Sequence, residues 1–364
     1  MSETSQDLAN PPQKFKIAFH GDASEYFKIW IVNVALTVLT LGIYYPWAKV
    51  RTRRYFYAST ELDGHRFDYL ADPKTLLKGY LIIYATILLY VLGISQIIPI
   101  AIGIIVIIAL GIMGPYFIAA SLRFWMHNAS YRNVRFNFSG TTGDAYGLFW
   151  GYGLLSYITA GLMYPYMRFK ISEYVFGNAS FGQSRFQFKG EAGPFYKIYL
   201  VAFAIIMGFV FLAVIAVAGG AVILAPMTEG ANEEQVGAAA FAGIIAFYLL
   251  YIPVFLLITG FVGAKLMQYN YSVLSLGEVE EVTFASDIKV GRYIWVTFSN
   301  AVATILSLGL LSPWAKVRAT KMVLESISLS SKSGSLGSHE ALAAADQSAT
   351  GEAASDAMDF DIGF

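Results

Sequence analysis

Apolar positions along this chain come in long runs. Residues 79–120 and 198–263 are almost wholly apolar, broken near Ser95 to Pro99 in the first and by an acidic stretch around Thr228 to Glu234 in the second. Each run has room for two helices of about 20 residues, the length that crosses a bilayer, and so predicts a transmembrane hairpin. Three shorter apolar stretches, 29–46, 146–165 and 293–311, are also of helical length. Between helices lie segments in which aromatic and polar residues alternate and a glycine closes the run: Arg135-Phe-Asn-Phe-Ser-Gly140 and Arg185-Phe-Gln-Phe-Lys-Gly190, with Arg66-Phe-Asp-Tyr69 as a weaker echo. A period of two predicts short strands, placed outside the bilayer.

Self-similarity organises the pattern further. One segment is written three times: Thr40-Leu-Gly-Ile-Tyr-Tyr-Pro-Trp-Ala-Lys-Val-Arg51, Thr159-Ala-Gly-Leu-Met-Tyr-Pro-Tyr-Met-Arg-Phe-Lys170 and Ser307-Leu-Gly-Leu-Leu-Ser-Pro-Trp-Ala-Lys-Val-Arg318. The spacings are too long for a solenoid, so the order is repeat, hairpin, repeat, hairpin, repeat. The expected fold class is a mainly α-helical polytopic membrane protein with three internal repeats and short extramembrane β elements. Its expected units are a disordered N-terminus (1–14), repeat units at 15–75, 128–190 and 271–330, hairpins at 76–127 and 191–270, and a Ser-, Ala- and Gly-rich acidic tail at 331–364, read as mobile. The polar start of the chain, with Pro11-Pro12, predicts no cleaved signal peptide.

Composition agrees with a membrane protein. Of 364 residues, 56% are hydrophobic and 14% charged, with mean hydropathy +0.55, against roughly 25% charged in soluble domains. Lys plus Arg and Asp plus Glu number 25 each, so no bulk charge draws the chain to nucleic acid. The position of the cations is more informative, because Lys and Arg collect on the cytoplasmic side. Seven ordinary spans divide them 11 to 14 between the two sides, whereas repeat helices that enter and return on one side put all 25 together. Same-side repeats are therefore favoured, with the basic loops and both termini cytoplasmic, and the Gly and Pro of each repeat give the chain a place to turn.

Candidate chemistry is sparse. Trp47, Lys49 and Arg51, with Tyr166, Arg168, Lys170, Trp314, Lys316 and Arg318, suit a headgroup layer, where indoles prefer the interface and long cations reach phosphate. Arg53 and Arg54 extend the cluster. Specific recognition of an anionic headgroup competes with plain anchoring. Each repeat helix also carries a polar line at i, i+4 and i+7: Asn33, Thr37 and Thr40; Tyr152, Ser156 and Thr159; Asn300, Thr304 and Ser307. These lines would either border a hydrophilic groove or hydrogen-bond between helices, the commoner use. No ionisable group lies deep in an apolar core, which argues against a proton pump. There is no cysteine, the four histidines lack ligand spacing, and no catalytic motif is present. The reading is non-enzymatic, with no metal and no cofactor.

The stretch Phe19-His-Gly-Asp, Glu25-Tyr-Phe, Trp30, Asn33 and Thr40 to Arg51, together with the closing Asp361-Ile-Gly-Phe364, resembles the YjgN family of bacterial inner-membrane proteins over nearly the whole chain. The middle repeat copy departs from the signature at Tyr166, Met167 and Phe169. The resemblance implies an inner-membrane location and carries no catalytic residues, the family being a domain of unknown function. Expected partners are membrane lipids, with anionic headgroups among them, or an envelope protein, and the sequence assigns no oligomeric state. Three functions follow: binding or moving a lipid or other amphiphile, scaffolding of envelope proteins, and a solute channel.

Overall fold

The computed structural model describes residues 12–228, 233–277 and 282–331. The expected disordered segment, apart from its last residues, and nearly all of the expected tail lie outside them; β1 already begins at Gln13.

Ten short strands alternate with five helical excursions. The first runs from β1 (Gln13–Phe19) through α1 (Ala23–Leu39) and α2 (Tyr45–Ala58) to β2 (Thr60–Leu62). A tight turn leads to β3 (His65–Tyr69), followed by α3 (Pro73–Ile94), α4 (Ile100–Asn128) and β4 (Ala129–Tyr131). β5 (Val134–Phe138) opens the third excursion, α5 (Thr142–Tyr146), a π-helical stretch Gly147–Tyr152, α6 (Gly153–Ile158) and α7 (Tyr164–Gly177), which returns at β6 (Ala179–Phe181). The fourth joins β7 (Ser184–Phe188) to β8 (Leu274–Leu276) through α8 (Ala192–Thr228) and α9 (Glu233–Ser272). The fifth joins β9 (Val282–Ser286) to β10 (Ile327–Ser331) through α10 (Val290–Leu306) and α11 (Ser312–Glu325).

The strand elements correct the expectation of small, separate β pieces between helices. Every strand pairs antiparallel with both neighbours, and β1 pairs with β10, so the ten form one closed barrel. The physical reason is the two-residue period: inward positions such as Phe15, Leu62, Tyr131, Phe181, Leu276 and Leu329 are buried, while Lys16, Asp68 and Arg185 point out and are exposed. No strand is long enough to bury these side chains alone. Closing the ring does so and leaves no edge unpaired, each large apolar side chain contributing roughly 1.5–3 kcal/mol.

Antiparallel order has a geometric consequence. Odd strands run into helices and even strands run out of them, so all five excursions leave and re-enter at one rim, while the tight turns occupy the other. α3, α4, Ala192–Ile215 of α8 and Phe241–Ser272 of α9 are long and apolar enough to cross a membrane. α3 starts from an Asp72 cap with proline in its first turn, and at the α3/α4 crossing a Cβ on Gly93 would lie 2.9 Å from Gly103 Cα.

The other three excursions turn back sooner, and they do so identically. Leu41 and Gly42 have φ of 50° and 93°, Ala160 and Gly161 have 49° and 91°, and Leu308 and Gly309 have 50° and 90°. In each, the glycine N–H donates to a carbonyl five residues back, Thr37, Ser156 or Thr304, at 2.7–2.8 Å, which is the Schellman way of ending a helix. Proline then sits in the first turn of α2, α7 and α11, where its missing N–H costs nothing.

Candidate functional site

The barrel encloses a chamber of about 470 Å³, within the roughly 300–1,000 Å³ of small-molecule sites. Its floor is the barrel interior, with Phe136, Phe181, Phe186, Leu276, Phe284 and Leu329 among the lining residues. Its walls continue onto the helices that return to the barrel, α2, α4, α7, α9 and α11, through residues such as Phe56, Trp125, Phe176, Tyr271 and Leu324. Polar groups are few, and most lie at the helical end: Thr52, Arg53, Ser121, Lys316 and Thr320.

Helical spacing puts them there. Arg53, Phe56 and Tyr57 share one face of α2 as it runs into β2, which opens with Thr60, and Lys316, Thr320 and Leu324 share one face of α11 as it approaches β10. Arg53 therefore stands about 10 Å, and Lys316 roughly 15 Å, from the strand that follows each. The Arg53 guanidinium donates to Tyr69 Oη at 2.8 Å and lies 5.3 and 5.9 Å from the Tyr69 and Trp125 ring centres. Trp125 Nε1 in turn donates to Tyr57 Oη at 2.8 Å. These rings hold the cation in place and shield one side of it, a cation–π arrangement. The Lys316 ammonium lies 5.2 Å from the centre of the Phe56 ring. Deeper in, Tyr131 Oη donates to the Leu62 carbonyl at 2.8 Å, and burial pushes the Tyr131 phenol up from its ordinary pKa.

Of the aromatic and basic residues nominated from sequence, Lys316 lines the chamber, as does Arg53 from the extension of the cluster, and the rest are not among its lining residues. Trp47 stacks on Tyr44, Tyr166 meets Tyr152 edge-on at 5.3 Å, and Lys170 pairs with Glu173 at 2.6 Å. Arg318 donates to Ser299 Oγ (2.6 Å) and Asn300 Oδ1 (3.1 Å), 5.0 Å from the exposed Trp314 ring. Lys49 and Arg168 are half-buried and Arg51 exposed.

The polar lines fasten each hairpin. Asn33 Nδ2 donates to the Ala48 carbonyl at 3.3 Å, and Asn300 Nδ2 to that of Ala315 at 2.9 Å. Thr40, Thr159 and Ser307 hydroxyls accept from the backbone N–H of Tyr44, Met163 and Leu311, covering a donor at the start of each returning helix. Thr37 and Ser156 bond back to the carbonyls of Asn33 and Tyr152, and the Thr304 carbonyl accepts from Ser307 Oγ.

Sequence reasoning missed the chamber itself, along with Thr52, Thr320 and the interior aromatics. A signal was present: the apolar i, i+3, i+4 face of α2 and α11 runs directly into the inward positions of the following strand. No group of three or more His, Asp or Glu side chains that could hold a metal occurs among the described residues.

Residues 14–357 match the family described as bacterial protein of unknown function (DUF898). The chain belongs to this family. It is 32% identical over 139 residues to the inner membrane protein YjgN of Escherichia coli O157:H7 and, to the same extent, to that of strain K12, a stretch covering 38% of this chain and 34% of each relative. The YjgN of Salmonella typhimurium is 38% identical over 81 residues, 22% of this chain and 20% of that protein. The aligned stretch thus spans about a third of the E. coli relatives' length. No solved structure matches. Relatives in the inner membrane and four apolar helices of spanning length agree on an inner-membrane protein.

Proposed function

We propose that this protein takes a lipid or other amphiphile from the inner membrane into the barrel chamber, binding or transferring it without a catalytic step. The observation that carries the reading is an apolar chamber whose lining continues from the barrel interior onto the helices at the rim from which every helix leaves. A ligand arriving among the helices reaches apolar side chains without crossing water, and such burial is favourable in proportion to the area covered.

The same arrangement supports a topology in which the barrel sits on the cytoplasmic face, two hairpins cross, and the three shorter excursions re-enter as repeated units. Residues 79–122 and 198–264 contain no Lys or Arg, so all 25 fall on the barrel side. The tips of the shorter excursions are apolar and exposed, Leu41 at 93% and Leu308 at 94%, as a lipid-facing turn requires.

The test is native mass spectrometry of the purified full-length chain beside Leu276→Trp, which fills the chamber floor. We expect retained amphiphile on the wild type and its loss in the variant. Equal retention by the two proteins would overturn the reading. A scaffold, the second function open from the sequence, would instead yield one stoichiometric crosslinked protein whose capture ignores the chamber substitution.

A further inference from the structure

We infer that the chamber takes a single unbranched acyl chain, not a two-chain lipid, and that the barrel caps the length of that chain, with Ala129, Ala179 and Phe181 setting the cap. The inference rests on the amphiphile reading above and adds to it the number of chains and their length.

The strands β2, β4, β6 and β8 carry the argument. Each is three residues long, runs from the helical rim to the turn rim, and lines the chamber with its first and last side chains. In three of them the first is small and the last is large: Thr60 and Leu62 in β2, Ala129 and Tyr131 in β4, Ala179 and Phe181 in β6. The helical half of the barrel is therefore left open on three alternate strands, while the turn half is filled. Thr60 adds no polar demand, because its hydroxyl already donates to the Phe56 carbonyl at 2.8 Å.

The turn half is a plug and not a passage. Phe15 and Val134 are buried there with Leu62, Tyr131, Phe181 and Leu276, yet neither of the two lines the chamber. Tyr131 fastens the layer: its hydroxyl donates to the Leu62 carbonyl at 2.8 Å, and its ring centre lies 4.7 Å from that of Phe67 and 6.1 Å from that of Phe181. A chain entering with its apolar end towards the barrel meets this layer and stops. Volume sets the number of chains. About 470 Å³ holds on the order of 15 groups the size of a water or a methylene, at about 30 Å³ each, which is one acyl chain of ordinary length and roughly half of what two would fill. Burial favours each further methylene until the plug is reached, and beyond it an extra group must overpack the floor or stay outside.

The experiment measures displacement of tritiated palmitoyl lysophosphatidylcholine from the full-length protein held in a polymer belt without detergent. The competitors are lysophosphatidylcholines with saturated chains from decanoyl to behenoyl, and dipalmitoyl phosphatidylcholine, which has the same head and two chains. The proteins are wild type, Ala129→Leu, Ala179→Leu, Phe181→Leu and Leu276→Trp. We expect competition to tighten about fourfold per added methylene up to one chain length and then to stop tightening, and the two-chain lipid to compete about tenfold worse than its one-chain counterpart. Either alanine variant should shorten the best chain by about three carbons, the number leucine adds, and Phe181→Leu, which removes as many, should lengthen it by about the same. The wild-type series tests the cap without any variant, and shifts of opposite sign separate a cap from a loss of fold. Tightening that continues to behenoyl, a two-chain lipid that competes equally well, or a best length that stays put in all three variants overturns the inference while the amphiphile reading stands. If the probe binds wild type and Leu276→Trp alike, or shows no saturable binding to wild type, the amphiphile reading itself fails.

Discussion

A methyl group on Gly309 probes the turns that end α1, α6 and α10 most directly. Gly309 has φ +90° and no atom within 4 Å of where a Cβ would sit, and Gly161, at +91°, is likewise open. Substitution by Ala therefore meets no neighbour, and its cost is that of holding an L residue in a left-handed conformation, about 1–2 kcal/mol. At Gly42 (φ +93°) a Cβ would lie 3.3 Å from Tyr84 Oη, which donates to the Gly42 carbonyl at 2.9 Å, so Ala there costs somewhat more. The assay is folded fraction in detergent at the wild-type midpoint temperature, read by fluorescence-detected size exclusion. A loss of about 1.4 kcal/mol is a factor of ten and takes the folded fraction from a half to about a tenth. Asn, which tolerates this conformation, should recover part of the loss, and β-branched Val should be worse than Ala. Three Ala variants as stable as wild type, or Asn no better than Val, would refute the turn geometry.

Three further outcomes are expected. Single cysteines at Ser59, Ser184 and Ser272 should label from the cytoplasm and one at Ser95 only from outside; labelling of Ser59 and Ser184 from opposite sides would sink the same-side arrangement. Gly93→Val should destabilise by about 1–3 kcal/mol, because its Cβ meets the Gly103 backbone at 2.9 Å, where no flexible side chain can yield; an unchanged melting temperature would show that the crossing is looser. Burial pushes the Tyr174 phenol up to about 12, while its hydroxyl donates to the Thr141 carbonyl at 2.9 Å. The folded state thus holds this proton more tightly than the unfolded chain, whose tyrosines titrate near ~10, so the contribution is complete below ~10 and is lost as pH rises towards about 12. Tyr174→Phe should flatten that part of the alkaline stability curve, and an unchanged slope would count against the burial.

Local physics was written in the sequence. The two long apolar runs specified four helices of spanning length, because no other structure satisfies the backbone in lipid. The Thr-Leu-Gly, Thr-Ala-Gly and Ser-Leu-Gly triplets, each followed by proline, announced where three helices turn. Alternation at Arg135 to Phe138 and Arg185 to Phe188 announced strands. Ring closure was not legible, because strands of three to seven residues say which face is apolar but nothing about partners as distant as Phe15 and Leu329. For the same reason the nominated headgroup residues divided: Lys316 and Lys49 both stand in a Pro-Trp-Ala-Lys-Val-Arg segment, yet of the two only Lys316 lines the chamber. Which cation faces the chamber depends on where each hairpin meets the barrel, and the sequence of a hairpin does not contain that. Composition and period determined the membrane, the turns and the strands; only the closed barrel brought Arg53 and Lys316 into the lining of one apolar space.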